Sequence, residues 1–130
     1  MYEPSVALMR LLYTGNVLVA GTVGALSLFA PKQAVRYVFG GTTSPSVEMR
    51  VVGSLWLAIA ALSLAGLVRP HELSPVFLLQ LIYKGLWLLV VALPAVVTGR
   101  TRSLPIGMAV FFLVWVVLMP FAIPYGYLFR

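Results

Sequence analysis

The run SPVFLLQLIYKGLWLLVVALPAVVTG, residues 74–99, decides the fold. Ser74 followed by Pro75 is a helix start signal, because a hydroxyl can cap the first free amides and proline is preorganised for the first helical position. Gly99 supplies a stop. Between them stands a single charge, Lys84, in a stretch long enough to span a membrane: about 20 residues at about 1.5 Å rise cross a hydrocarbon core of about 30 Å.

Three more runs share that character. The expected spans are about 5–30, 46–68, 75–98 and 104–129, within one transmembrane domain covering residues 1–130. The loop PKQAVRYVFGGTTSP, residues 31–45, is the long connection, and Gly40-Gly41 followed by Thr42, Thr43 and Ser44 is turn chemistry. Ser44 with Pro45 is expected to open the second helix and Arg69-Pro70 to stop it. The links RPHELS, 69–74, and GRTRS, 99–103, are short, which sets sequential helices side by side and antiparallel. The expected fold is all-α, an integral-membrane, antiparallel, up-and-down bundle of four transmembrane helices. Pro120 and Pro124 each remove a backbone donor, so the far end of the fourth helix should kink or unwind.

Composition agrees. Of 130 residues, 62% are hydrophobic and 9% charged, against about 45–50% and about 25% in a soluble domain, which excludes an ordinary soluble fold. The formal charge of +6 does not indicate nucleic acid, because the basic residues flank apolar runs instead of clustering on one solvated face. MYEPSVALMR has no basic region, and the apolar stretch after it is longer than that of a signal peptide, so the first span is expected to remain in the mature protein. Lys32, Arg36, Arg50, Arg100 and Arg102 collect on the side of the first and third loops. Both termini are therefore expected outside, in a multi-pass protein of a bacterial inner membrane.

Counting about 1.5 Å per residue puts Lys84 roughly 14 Å below the outer surface, near the bilayer centre and beyond a snorkelling reach of about 6 Å. Tyr13 and Asn16 of the first span, Trp56 of the second and Trp115 of the fourth fall at the same level. Trp normally concentrates at membrane interfaces, so mid-span tryptophans are informative. Gln80, Lys84 and Trp87 form one helical stripe, and Arg10 is level with Gln80. Glu3 and Glu72 sit at the outer edge and Glu48 near the inner end of the second span, about 10 Å along the axis from Lys84. Lys84 is thus expected to lack a carboxylate within the chain.

Intramembrane ionisable residues are functional candidates. Lys84, Gln80, Trp87, Asn16, Tyr13, Trp56, Trp115 and Arg10 are the expected ligand-binding set. Asn16 and Tyr13 offer acceptors to the ammonium and the tryptophans offer it aromatic faces. Together they would line a cavity for an anionic or carbonyl-bearing ligand such as a quinone or lipid headgroup. The competing reading is a lysine hydrogen-bonded inside a packed bundle or satisfied by a neighbouring subunit.

Other signals are structural. Glu48, Arg50 and Arg36 form either a polar gate or a set of snorkelling helix-end charges. Gly15, Gly21 and Gly24 with Ala20 and Ala25, and Ala58, Ala61 and Ala65, make small-residue surfaces for close helix packing. With one histidine, His71, expected to be solvated in the second loop, no cysteine and no aspartate, no catalytic set and no metal ligands are assigned.

The first helix closes in LFAPKQ, residues 28–33, and the second opens with Arg-x-x-Gly in MRVVGSLWLAIAAL, residues 49–62, with two further helices behind. This layout resembles the DoxX-like group of small four-helix membrane proteins. The resemblance implies association with quinone-linked oxidation or with larger membrane assemblies, and carries over no catalytic residue.

The expected function is that of a non-catalytic integral membrane protein. It is either a subunit of a larger membrane assembly or the binder of a lipid- or quinone-like ligand at the Lys/Trp/Asn cluster. Its partners are membrane lipid and copies of itself or other subunits, and no cofactor is assigned beyond such a quinone or lipid. A small oligomeric channel or carrier for an anionic solute is the alternative. A membrane enzyme or accessory subunit in quinone-linked oxidation comes third.

Overall fold

Apolar runs of this length satisfy their backbone groups internally as helices, and helix is what the chain forms. The computed structural model describes residues 2–130, and among them there is no strand. Helix α1 runs Val6–Phe29, α2 Pro31–Tyr37, α3 Val47–Gly66, α4 Pro75–Val97, α5 Ile106–Ala122 and α6 Tyr125–Leu128. Three of them, α1, α3 and α4, are long and apolar enough to cross a membrane, and α5 is a shorter apolar helix. Large apolar side chains such as Leu11, Leu55, Ile82 and Val117 stand exposed on their outer faces. A water-soluble bundle would bury such surfaces.

The starts follow local chemistry. Ser5 caps α1, its hydroxyl accepting from the Leu8 amide at 3.0 Å. The cap of α3 is Ser46, accepting from Met49 at 3.1 Å, rather than the expected Ser44. Starting two residues later brings Glu48 into the first turn, where a carboxylate favours the unpaired amides. Pro75 opens α4 as expected, but the Ser74 hydroxyl donates to the His71 carbonyl at 2.6 Å instead of capping.

Two boundaries differ from expectation. Residues 31–37, read as loop, form α2 with Pro31 at its first position. The turn lies beyond it, where Gly40 and Gly41 take φ of +60° and +72°, a region that favours glycine. The fourth span is not one helix to residue 129. Pro120 sits inside α5, and Pro124 ends it after Ala122 with Ile123 extended. The carbonyls freed there are filled by side chains, since Tyr125 donates to the Pro120 carbonyl and Tyr2 to the Phe121 carbonyl, both at 2.8 Å.

Helices α1 and α3 pack antiparallel along a seam of small residues. A methyl group on Gly53 would meet the Leu28 amide nitrogen at 2.7 Å, and one on Gly24 would meet the Gly53 carbonyl at 2.9 Å. At the two ends of this pair an arginine near the start of each helix reaches the end of the other. Arg10 Nε donates to the Leu67 carbonyl at 3.1 Å and Arg50 Nε to the Leu28 carbonyl at 2.9 Å. Helices α4 and α5 pair through edge-on contacts of Tyr83 and Trp87 with Phe112, at 5.9 and 5.3 Å between ring centroids. Tyr13 stacked on Phe77 at 4.4 Å joins α1 to α4.

Both α1 and α4 contain a wider π turn, at Asn16–Ala20 and Leu88–Ala92. The second lies just ahead of Pro94, which cannot donate to the carbonyl one turn back. The first begins at the residue on which the centre of the bundle is built.

Candidate functional site

Asn16 is 1% exposed and uses its whole amide. Its Nδ2 donates to Ser63 Oγ at 3.0 Å and to Gln80 Oε1 at 2.7 Å. Its Oδ1 accepts from Gln80 Nε2 and from Trp115 Nε1, both at 2.9 Å. The tryptophan N–H only donates, so the atom facing it is the oxygen, and this sets the amide orientation. Asn16 belongs to α1, Ser63 to α3, Gln80 to α4 and Trp115 to α5. One side chain therefore ties all four long helices together.

One turn beyond Gln80, Lys84 is 3% exposed. Neither ion pair among the described residues includes it. The hydrogen bonds of Asn16, Gln80 and Tyr83 are made elsewhere. What surrounds its ammonium is aromatic. Nζ lies 5.1 Å from the Phe111 ring centroid, 5.2 Å from Phe112, 5.6 Å from Trp115 and 5.7 Å from Tyr83. All four distances are within the roughly 6 Å over which a ring face attracts a cation.

A cavity of about 220 Å³ opens beside this cage, with Asn16, Val23, Trp56, Tyr83, Lys84 and Met108 among its walls. Trp56 Nε1 donates to the Tyr83 hydroxyl at 3.1 Å. A second cavity of about 300 Å³ lies toward the start of α3, walled by residues including Phe39, Glu48, Trp87 and Leu104. Met108 borders both.

Of the eight residues expected to share a site, Lys84, Asn16 and Trp56 line the first cavity, and Trp115 contributes a face of the cage. Gln80 sits behind them in the hub. The other three are elsewhere. The Tyr13 hydroxyl donates to the Pro70 carbonyl at 2.6 Å and not to the lysine. Arg10 is exposed on Leu67, and Trp87 faces the second cavity. Asn16 lines the same cavity as Lys84, but its amide oxygen already accepts two hydrogen bonds. Depth counting brought Asn16, Trp56 and Lys84 to one cavity, but it set Tyr13 and Arg10 too deep, since Tyr13 stacks on Phe77 two turns before Lys84 and Arg10 reaches the end of α3.

Of the two readings of the helix-end charges, the gate is not formed. Arg50 bonds the end of α1, and Arg36 stands over the Tyr37 ring at 5.3 Å, so they do not form a gate with Glu48. His71 is not free in its loop, its Nε2 lying 2.7 Å from Glu3 Oε1. Tyr83, Phe111, Phe112 and Ser63 were not anticipated. Phe111 is one turn before Trp115 and Ser63 two turns after Trp56, so the helical period marks their faces.

The fold and this centre define an all-helical chain of membrane character, built around a polar hub and a caged lysine. No family model matches the chain, and no match was found among curated proteins or among solved structures.

Proposed function

We propose that the chain is a four-span integral membrane protein that binds a lipid- or quinone-like amphiphile beside Lys84 without transforming it. The observation that carries this reading is a buried lysine side chain whose ammonium has no acceptor among the described residues and opens onto a cavity. A lysine at the centre of a span costs about 2.5–3.5 kcal/mol on the insertion scale. The aromatic cage offsets part of this, roughly 2 kcal/mol when desolvated. Rings do not supply the oxygen acceptors that three ammonium N–H groups require. A bound ligand does.

The 17 residues of α5 rise about 25 Å, and α6 behind Pro124 completes a fourth crossing. Four up-and-down crossings would put both termini on one side, and the basic residues of the first and third loops support an orientation with the termini outside a bacterial inner membrane. The Asn16 hub joins all four helices on the outer side of the cavity, which argues for a dead-ended binding site over a pore through one chain. The layout shared with the DoxX-like group supports the same ligand class and a place in a larger assembly.

Native mass spectrometry of protein released gently from its membrane tests the reading. Wild type should carry a small amphiphile and Lys84→Leu should not. The variant is expected to insert and fold normally, because removing an unpaired lysine leaves no partner stranded. Identical adducts on both proteins, or none on either, would refute binding at Lys84.

A further inference from the structure

The cavity also restricts the chemistry of its occupant. We infer that the ligand is a single-chain amphiphile with a carboxylate head, a long-chain fatty acid anion, seated with its head between Lys84 and Tyr83. This inference rests on the ligand-binding reading above and narrows it to one class.

Tyr37 lines the space where it is open and is itself exposed, while the polar groups at the buried end present donors. Lys84 presents ammonium N–H groups, and the Tyr83 hydroxyl, whose oxygen already accepts from Trp56, retains a proton with no acceptor among the described residues. The Asn16 amide is fully used in the hub. A head placed between Lys84 and Tyr83 must therefore offer oxygen acceptors, which disfavours amines, and an alcohol offers an oxygen but no charge to match the ammonium.

Charge narrows the choice further. A quinone or ester carbonyl would accept a hydrogen bond but leave the cation uncompensated in an apolar wall, whereas a carboxylate supplies one negative charge for one lysine. A phosphate monoester carries about −1.5 to −2 and would leave excess charge buried. Size then selects a single chain. About 220 Å³ is below the roughly 300–1,000 Å³ of sites that enclose a whole drug-sized ligand, so it takes a head and the first methylenes only. The rest of the tail leaves along Val19, Val23 and Met108, where the second half of α1 packs on α3 and leaves an apolar slot toward α5.

The test is binding of radiolabelled palmitate to the full chain in a non-ionic detergent. Unlabelled palmitate, methyl palmitate, hexadecanol, hexadecyl phosphate and decylubiquinone serve as competitors. Saturable binding displaced by palmitate, with at least tenfold weaker displacement by the other four, is expected. Lys84→Leu should weaken binding at least tenfold with helix content by circular dichroism unchanged. Lys84→Arg should retain most of it, and Tyr83→Phe should lose several-fold. Palmitate binding unchanged in Lys84→Leu, or a neutral competitor as effective as palmitate, overturns the inference. If decylubiquinone binds in a Lys84-dependent way and palmitate does not, the carboxylate class fails while the ligand-binding reading stands. If no probe binds and native mass spectrometry shows no adduct, both fail.

Discussion

Asn16 and Lys84 line one cavity in opposite situations, one fully bonded and the other with no hydrogen-bonded partner among the described residues. Their substitution should differ accordingly. Asn16→Leu strands the Gln80 amide, the Trp115 N–H and the Ser63 hydroxyl. At an average of about 0.6 kcal/mol per interhelical hydrogen bond in membranes, with unsatisfied buried groups costing more, the loss should be roughly 2–3 kcal/mol. Reversible unfolding in mixed micelles would measure it, and an unchanged midpoint would mean that the hub does not hold the helices. The sequence already placed Asn16 and Lys84 at one level. It was silent on Ser63, because a serine in an apolar helix bonds its own backbone as readily as another helix, and Ser54 does so here, donating to the Arg50 carbonyl at 3.0 Å.

At the scale of elements, the α1–α3 seam depends on backbone approach. Gly53→Ala pushes a methyl against the Leu28 amide and the Gly24 carbonyl, backbone atoms that cannot rotate aside, so the helices must part at a cost of about 1–3 kcal/mol. Gly85, also in a helix, has nothing within 4 Å of an added methyl. Gly85→Ala should be neutral or stabilising by up to about 1 kcal/mol, since it lowers the entropy of the unfolded chain. Thermal denaturation of the two variants side by side checks this contrast, and equal losses would contradict the seam. The approximate positions of helix starts and stops were legible from Ser-Pro, Arg-Pro and Gly signals, although Ser46 and not Ser44 caps α3 and Ser74 caps nothing. The helix at 31–37 was not legible, because about two turns of mixed polar and apolar residues running into Gly40-Gly41 and Thr42-Thr43 read as loop. The break at Pro124 was legible only as a proline that ends or kinks a helix, and the phenols of Tyr2 and Tyr125 that make the break tolerable lie far apart in sequence.

For the whole molecule, the exposed apolar belt and the antiparallel order make one arrangement testable in cells. The chain contains no cysteine, so single cysteines report directly. With the proposed topology, Glu72→Cys should react with a membrane-impermeant maleimide in intact cells and Thr43→Cys only after permeabilisation. Leu55→Cys and Val114→Cys, which replace exposed apolar residues, should stay protected under both conditions by surrounding lipid. Labelling of positions 43 and 72 alike in intact cells would rule out the up-and-down crossing.

Class was decided by the sequence alone, and level for Asn16, Trp56 and Lys84 but not for Tyr13 and Arg10. Apolar runs of spanning length have helix as their main solution once water is removed, and a rise of about 1.5 Å per residue turns position into depth. Only the tertiary structure decided direction. Whether Tyr13 turns to Lys84 or to Pro70, whether Arg10 enters the centre or ties the end of α3, and which rings close around the ammonium depend on helix rotation and on the π turn at Asn16. Those rotations are set by contacts between helices distant in sequence, above all the Gly24–Gly53 approach and the Asn16 hub.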